Sequence, residues 1–231
     1  MNKNYTNCYI AFLDILGFKE LIKTKPCDEV YSIFTSKMKN PLYAVHKGTE
    51  KIFDMKTVKS KVMSDSVCFC VDSSVKNALF GLILTCANFQ VELMKLETPI
   101  LCRGAIVRGD ILWEGDTIFG PGFIDAYRME ENNATHPRII MTRSTVESSK
   151  ENTEESIVND LSNLLFIDHD DFLTIDSMEL FEGLDTDGSY CKNLYNHIVD
   201  VLGETVDNSV REKYMYLKTK LLRWYKPESR I

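Results

Sequence analysis

Residues 8–15, CYIAFLDI, form a β-rich apolar run broken by a single acid, Asp14, and the chain turns helical directly afterwards at GFKELI. A carboxylate taken out of water at the end of a strand is costly unless another charge or dipole shares it. Two partners are on offer. The helix start at Gly17 and Phe18 presents backbone amides and the positive end of a dipole, and a divalent cation would be neutralised by the acid itself. Asp14 acting only as a cap for that helix is the alternative.

Beyond this strand, CDEVYSIFTSKMKNPLYAVHKG (27–48) continues as a helical stretch after Pro26. FDMKTVKSKVM (53–63) and SVCFCVD (66–72) are two β-prone runs joined by Ser64 and Asp65, which puts Asp65 at a hairpin tip. Apolar spacing and a serine start predict a helix over 74–97, ended by Thr98 and Pro99. ILCRGAIVRGDILWEGDTIFG (100–120) predicts two strands around Gly109 and Asp110. A short helix follows over 122–133, after a Gly-Pro-Gly turn, and PRIIMTRSTVE (137–147) reads as a strand leading into a helix. The remainder is an acidic linker (148–160), a β-like pair LLFIDHDDFLTI (164–175) and helices near 188–204 and 208–225. No internal repeat or low-complexity tract is present. The order βα, hairpin, α, hairpin, α, β predicts an α+β sandwich, an antiparallel-dominated sheet with helices packed on one face. Residues 1–150 form its core, and 151–231 add a C-terminal strand pair and helical extension of the same domain.

Composition narrows the function. The 231 residues are 44% hydrophobic, enough for a real core. With 27 basic against 34 acidic residues, net −7, and no basic block, nucleic acid is not expected as a partner. The longest apolar stretch, 78–89, is too short to span a bilayer, and no small-residue cleavage site follows the N-terminal run. A cytoplasmic location and no membrane partner are expected. Seven cysteines, mostly inside apolar segments, suit reduced core positions better than a disulfide framework. Cys68 and Cys70 share one side of a strand and read as core.

Asp14 and Asp65 would converge if their strands pair, and two carboxylates suit Mg²⁺ or Mn²⁺, which keep coordination positions for water and substrate phosphates. The alternative is a helix cap and a turn residue. Gly17 permits close backbone approach by a phosphate, or is simply a helix-start glycine. Arg128 sits on the helix after Gly-Pro-Gly, where an intrahelical pair with Asp125 is its plain reading. HDD (169–171) suggests a metal-dependent phosphohydrolase, but His46, His136 and His197 have no matching spacing. The aromatic and Met positions of REKYMYLKTKLLRWYK (211–226) read as a packing face.

Taken together, FLDILGF, KVMSDSVCF and RGAIVRGDI…IFGPGFIDAYRME resemble, in order and spacing, the two metal motifs, glycine strand and arginine helix of class III nucleotide cyclases. The likeness spans about residues 8–145. Within that family LDILGF with SDS looks most like the bacterial pyrimidine cyclases of the Pycsar antiphage system. The resemblance implies that Asp14, Asp65 and the carbonyl of Ile15 hold two Mn²⁺ or Mg²⁺ ions, that the Gly17 and Phe18 amides hold phosphate, and that Arg128 stabilises charge on the α-phosphate. It implies base reading by Lys61 and Thr117, and a head-to-tail homodimer with composite sites. The family's ribose-positioning asparagine is here Ile124, with Asp125 beside it. Its late triphosphate-gripping lysine has no counterpart, leaving Arg138, Arg143 or the partner subunit to replace it.

The function implied is cyclisation of CTP or UTP, with CTP favoured, to the 3′,5′-cyclic nucleotide and pyrophosphate. The product would be an antiphage second messenger read by a separate effector. A purine cyclase using ATP or GTP, or a catalytically idle cyclase-like regulatory or dimerisation domain, are the alternatives.

Overall fold

The structure, a computed structural model, describes residues 3–33 and 52–227. The predicted helical stretch over 27–48 is described only as far as residue 33, and His46 lies outside the described residues. Strand β1 (Thr6–Ile15) is the centre of the fold. It pairs antiparallel with β3 (Ser66–Asp72) on one side and with β4 (Cys102–Glu114) on the other. Strand β2 (Lys59–Met63) closes the hairpin with β3, and β5 (Thr117–Phe119) folds back on β4. Parallel to β4 runs β6 (Ile139–Met141), followed by the antiparallel hairpin of β7 (Leu165–Ile167) and β8 (Leu173–Ile175). The result is an eight-stranded, mostly antiparallel sheet in the order β2-β3-β1-β4-β6-β8-β7, with β5 paired to β4. The α+β class expected from the sequence is what the chain adopts.

Alternation along β1 sorts the two faces of the sheet. Tyr9, Ala11, Leu13 and Ile15 join the large core under helix α3 (Ala78–Met94). Ile10 and Phe12 face the other way, toward helix α4 (Pro121–Asn133), and pack with Ala126 and Phe123. Helices therefore cover both faces, where one had been expected. Nearly all of α3 is buried, and a helix so enclosed needs partners on every side. Those partners are the sheet on one flank, and on the other α7 (Ser177–Gly183), α8 (Ser189–Glu204) and α9 (Asn208–Leu221), which enclose a second apolar cluster.

Several boundaries differ from expectation. Helix α3 starts at Ala78 after Asn77, whose side-chain Oδ1 accepts from the Glu154 amide while its Nδ2 donates to Ile52 O, so it gives no cap. A 3-10 turn over Met55–Thr57 precedes β2, so the first run of the hairpin is a strand only from Lys59. The turn expected at Gly109 and Asp110 is absent: β4 runs straight through them and turns at Gly115 and Asp116. Gly109 serves close approach instead, since a Cβ there would stand 2.6 Å from Gly122 Cα in the first turn of α4. The acidic linker contains helix α6 (Glu155–Asn163), anchored by Ile157 and Leu161. Short helices α1 (Phe18–Thr24), α2 (Cys27–Ile33) and α5 (Arg143–Glu147) and a 3-10 turn over Lys150–Asn152 complete the described chain. None of its helices is long and apolar enough to cross a membrane.

Candidate active site

Register fixes the site. Asp14 stands opposite Ser66 on β3 and Arg103 on β4, and Lys61 stands opposite Cys68, which in turn faces Phe12. Asp14, Arg103 and Lys61 therefore share the face of the sheet that α4 covers. Asp65 occupies the β2–β3 turn beside Ser64, a residue with φ 57°, and its carbonyl accepts from the Ile15 amide at 2.9 Å. The end of β1 and the hairpin tip are tied together by that bond, and the Asp65 charge acts on Asp14. Cys68 and Cys70 are free, buried cysteines in the apolar cluster beneath this face.

Asp14 does not cap the helix after it. The residue before α1 is Gly17, left-handed at φ 75° and without a side-chain cap. Asp14 instead accepts from Arg103 Nε at 3.3 Å, and the two side chains are each 22% exposed. Burial raises the Asp14 pKa; Arg103 opposes it, Asp65 adds to it and Lys213 opposes it, leaving the carboxyl above its ordinary range. Two carboxylates that repel each other and a net penalty on the ionised form describe a place where added positive charge is favoured.

Arg103 and Glu130 were not anticipated as site residues. Glu130 is buried at the end of α4, with Arg103 Nε 2.8 Å from its Oε1, although the N–H is not aligned for a hydrogen bond to that oxygen. Burial pushes the Glu130 carboxyl up to about 7, against the pull of Arg103. The buried positions of α4, Gly122, Ala126 and Glu130, recur every four residues, a spacing visible in the sequence. Arg103 Nη1 also donates to the Ala134 carbonyl at 3.3 Å, satisfying an acceptor at the negative end of α4. Its signal in the sequence was an arginine next to the apolar run of its strand.

Arg128 and Asp125 are both exposed on α4, and no ion pair joins them among the described residues. Beside Arg128 the same helix exposes Ile124 and Tyr127, and Phe119 of β5 is exposed too. Lys61 donates to the Asp116 carbonyl at 2.7 Å and to its carboxylate at 2.9 Å, and holds that carboxyl below its usual range. Thr117, one residue on, is the exposed first residue of β5. The acidic neighbour of Lys61 is therefore Asp116, one residue before the Thr117 that the family resemblance matched to it.

Neither arginine offered as a triphosphate grip belongs to this constellation. Arg138 is 2% exposed, with Nη1 donating to Asp168 Oδ2 at 2.8 Å and to Asp170 Oδ1 at 2.9 Å. Two carboxylates neutralise it where it stands. Arg143 opens α5 on the surface. His169 pairs with Asp168 at 3.2 Å, and among the described residues no cluster of three or more His, Cys, Asp or Glu side chains forms a metal-ligand set.

No protein-family model matches the chain, and no curated protein matches it. Among solved structures it is similar to the guanylyl cyclase domain of a RhoGC fusion protein from the aquatic fungus Blastocladiella emersonii, at 16% identity over 64% of this chain and 88% of that one, with a TM-score of 0.46. It is similar to a bacterial light-regulated adenylyl cyclase at 17% identity, covering 64% of this chain and 81% of that one, TM-score 0.44. An adenylate/guanylate cyclase/hydrolase from Silicibacter pomeroyi is similar at 15% identity, over 75% of this chain and 96% of that one, TM-score 0.44.

Proposed function

We propose that this chain is a class III-type nucleotide cyclase acting on a pyrimidine nucleoside triphosphate, CTP before UTP. The observation that carries the reading is the Asp14–Asp65 pair, held at one strand end by the Ile15–Asp65 hydrogen bond, with Arg103 and Lys61 on the same face. The carboxylates and the Ile15 carbonyl are hard oxygen donors, and burial penalises the ionised form of Asp14, a cost that a bound cation would offset, so these residues fit Mn²⁺ or Mg²⁺. Two such ions, when bound, would make the ribose 3′-hydroxyl more acidic and neutralise the leaving pyrophosphate.

In the reaction the 3′-oxygen forms a bond to the α-phosphorus, the bond from that phosphorus to the bridging oxygen breaks, and pyrophosphate leaves; the hydroxyl proton passes to water. Gly17 and Phe18 would donate amide hydrogens to phosphate oxygens. Arg128 would stabilise charge developing on the α-phosphate, a contribution of a few kcal/mol in comparable sites. Its exposure beside Ile124, Tyr127 and Phe119 suits delivery across a homodimer interface into the partner's site. Ile124 offers no polar group to the ribose.

The Lys61–Asp116 pair supports CTP. Lysine donates and a carboxylate accepts, matching the N3 acceptor and N4 donor of cytosine; uracil reverses that pattern at N3 and O4. Thr117 beside them can do either. Adenine repeats the cytosine pattern at N1 and N6, which makes ATP the second reading. By resemblance to Pycsar cyclases, the cyclic product would be an antiphage second messenger for a separate effector.

The test is turnover of ATP, GTP, CTP and UTP, one at a time, with Mn²⁺ and mass detection of products, for the wild type and for Asp14→Ala and Asp65→Ala. Cyclic CMP from the wild type and none from either variant is expected. No cyclic product from any nucleotide by folded, dimeric protein, or full activity of both variants, would overturn the proposal.

A further inference from the structure

Arg103 stands between two acids and serves neither fully. It faces Asp14 directly across β1 and β4. An arginine Nε carries a single hydrogen, and here two carboxylates compete for it. The hydrogen is donated to Asp14 Oδ2 at 3.3 Å, a long bond. Glu130 Oε1 is nearer, 2.8 Å from the same nitrogen, but out of line with the N–H. That oxygen is buried and has no hydrogen-bond partner, on a residue only 2% exposed.

An acceptor out of water and without a donor is costly. Glu130 has no room to withdraw toward solvent, because Gly122, Ala126 and Glu130 form the buried stripe of α4. The first turn of that helix is pressed on β4, where Gly122 meets Gly109 too closely for a Cβ. The guanidinium is anchored to α4 as well, since Nη1 donates at 3.3 Å to the carbonyl of Ala134, the residue that ends the helix.

We infer that Glu130 is a positioning residue of the metal site: it takes the Arg103 guanidinium from Asp14 when a divalent ion binds that carboxylate. This rests on the cyclase reading, in which Asp14 is an ion ligand. Asp14 bound to a dication has no need of the arginine, and a guanidinium that stayed would stand beside a like charge. A small turn about the Ala134 contact carries the Nε hydrogen to Glu130, which accepts it in a shorter, charge-assisted bond. Both contacts of Arg103 then lie on α4, the helix that carries Arg128. Ion binding at the end of β1 and the seating of α4 are linked in this way.

Mn²⁺ titration of the full-length protein at pH 8, read from the electron paramagnetic resonance signal of free Mn²⁺, tests this with wild type, Glu130→Gln, Glu130→Asp and Asp14→Ala. Glutamine removes the charge, and aspartate keeps it but stops one methylene short of Arg103. Loss of one charge-assisted contact should weaken Mn²⁺ binding about tenfold in both Glu130 variants, measured well below their thermal midpoints. Wild-type affinity in Glu130→Gln would overturn the role of Glu130. So would wild-type affinity in Glu130→Asp, because charge at a distance would then suffice. Either result leaves the cyclase reading standing. No Mn²⁺ bound by wild type, or none lost in Asp14→Ala, would overturn that reading and this inference together.

Discussion

Replacing Glu130 with glutamine should make the protein more stable, and increasingly so as pH rises. The carboxyl titrates near 4.5 in an unfolded chain and near 7 in the fold, because burial at the end of α4 outweighs the attraction of Arg103. Below pH 4.5 both states hold the proton and Glu130 is neutral to folding. As pH rises through the window from 4.5 to 7 the unfolded chain releases its proton first, so folding stability declines. Above the window the full difference is lost, about 3 kcal/mol at roughly 1.4 kcal/mol per pH unit. That is a large share of the roughly 5–15 kcal/mol typical of a domain.

Glutamine keeps the shape and removes the titration. Urea unfolding in EDTA, with both proteins measured at pH 5 and at pH 8, isolates the effect, since other titrations are common to the two. The stability difference, variant minus wild type, should grow by about 2.5 kcal/mol between those pH values. A difference that does not change would mean that Glu130 is ionised throughout and that the ion pair with Arg103, 2.8 Å away, dominates burial. The reasoning that burial outweighs the attraction of Arg103 at Glu130 would then fail with it.

Mixing Asp14→Ala with Arg128→Ala should restore cyclic-nucleotide production that neither variant has alone, because one heterodimer site would keep both groups; no recovery would refute composite sites. Arg138→Ala leaves Asp170 without its cation and Asp168 with Lys220 alone, and should cost about 3–5 kcal/mol in urea unfolding. Gly109→Ala forces β4 and α4 apart from a 2.6 Å overlap and should cost at least about 1–3 kcal/mol while abolishing turnover. Asp116→Ala should leave folding unchanged and alter the ratio of CTP to UTP turnover, measured in competition.

What could be read from the sequence was local. An apolar run ending in Asp14, and Ser64–Asp65 between two β-prone runs, placed both carboxylates on their elements, because strand patterning and turn chemistry act over a few residues. The turn at Gly115 and Asp116 was misplaced for the same kind of reason. Gly109–Asp110 carries an equally good turn signal, and only the arrival of Gly122 against Gly109 explains why that glycine is extended. Asp116 was not named for the site, because the family resemblance matched Lys61 with its neighbour Thr117. Arg103 depended on something no local pattern holds: the register that sets it opposite Asp14, 89 residues away. The same limit applies to α9. Its inward face was legible as a packing face, and Leu217 and Leu221 are buried there, but which strand end it would cover was not. An apolar helix face is the same signal in sequence whichever strand end it comes to cover.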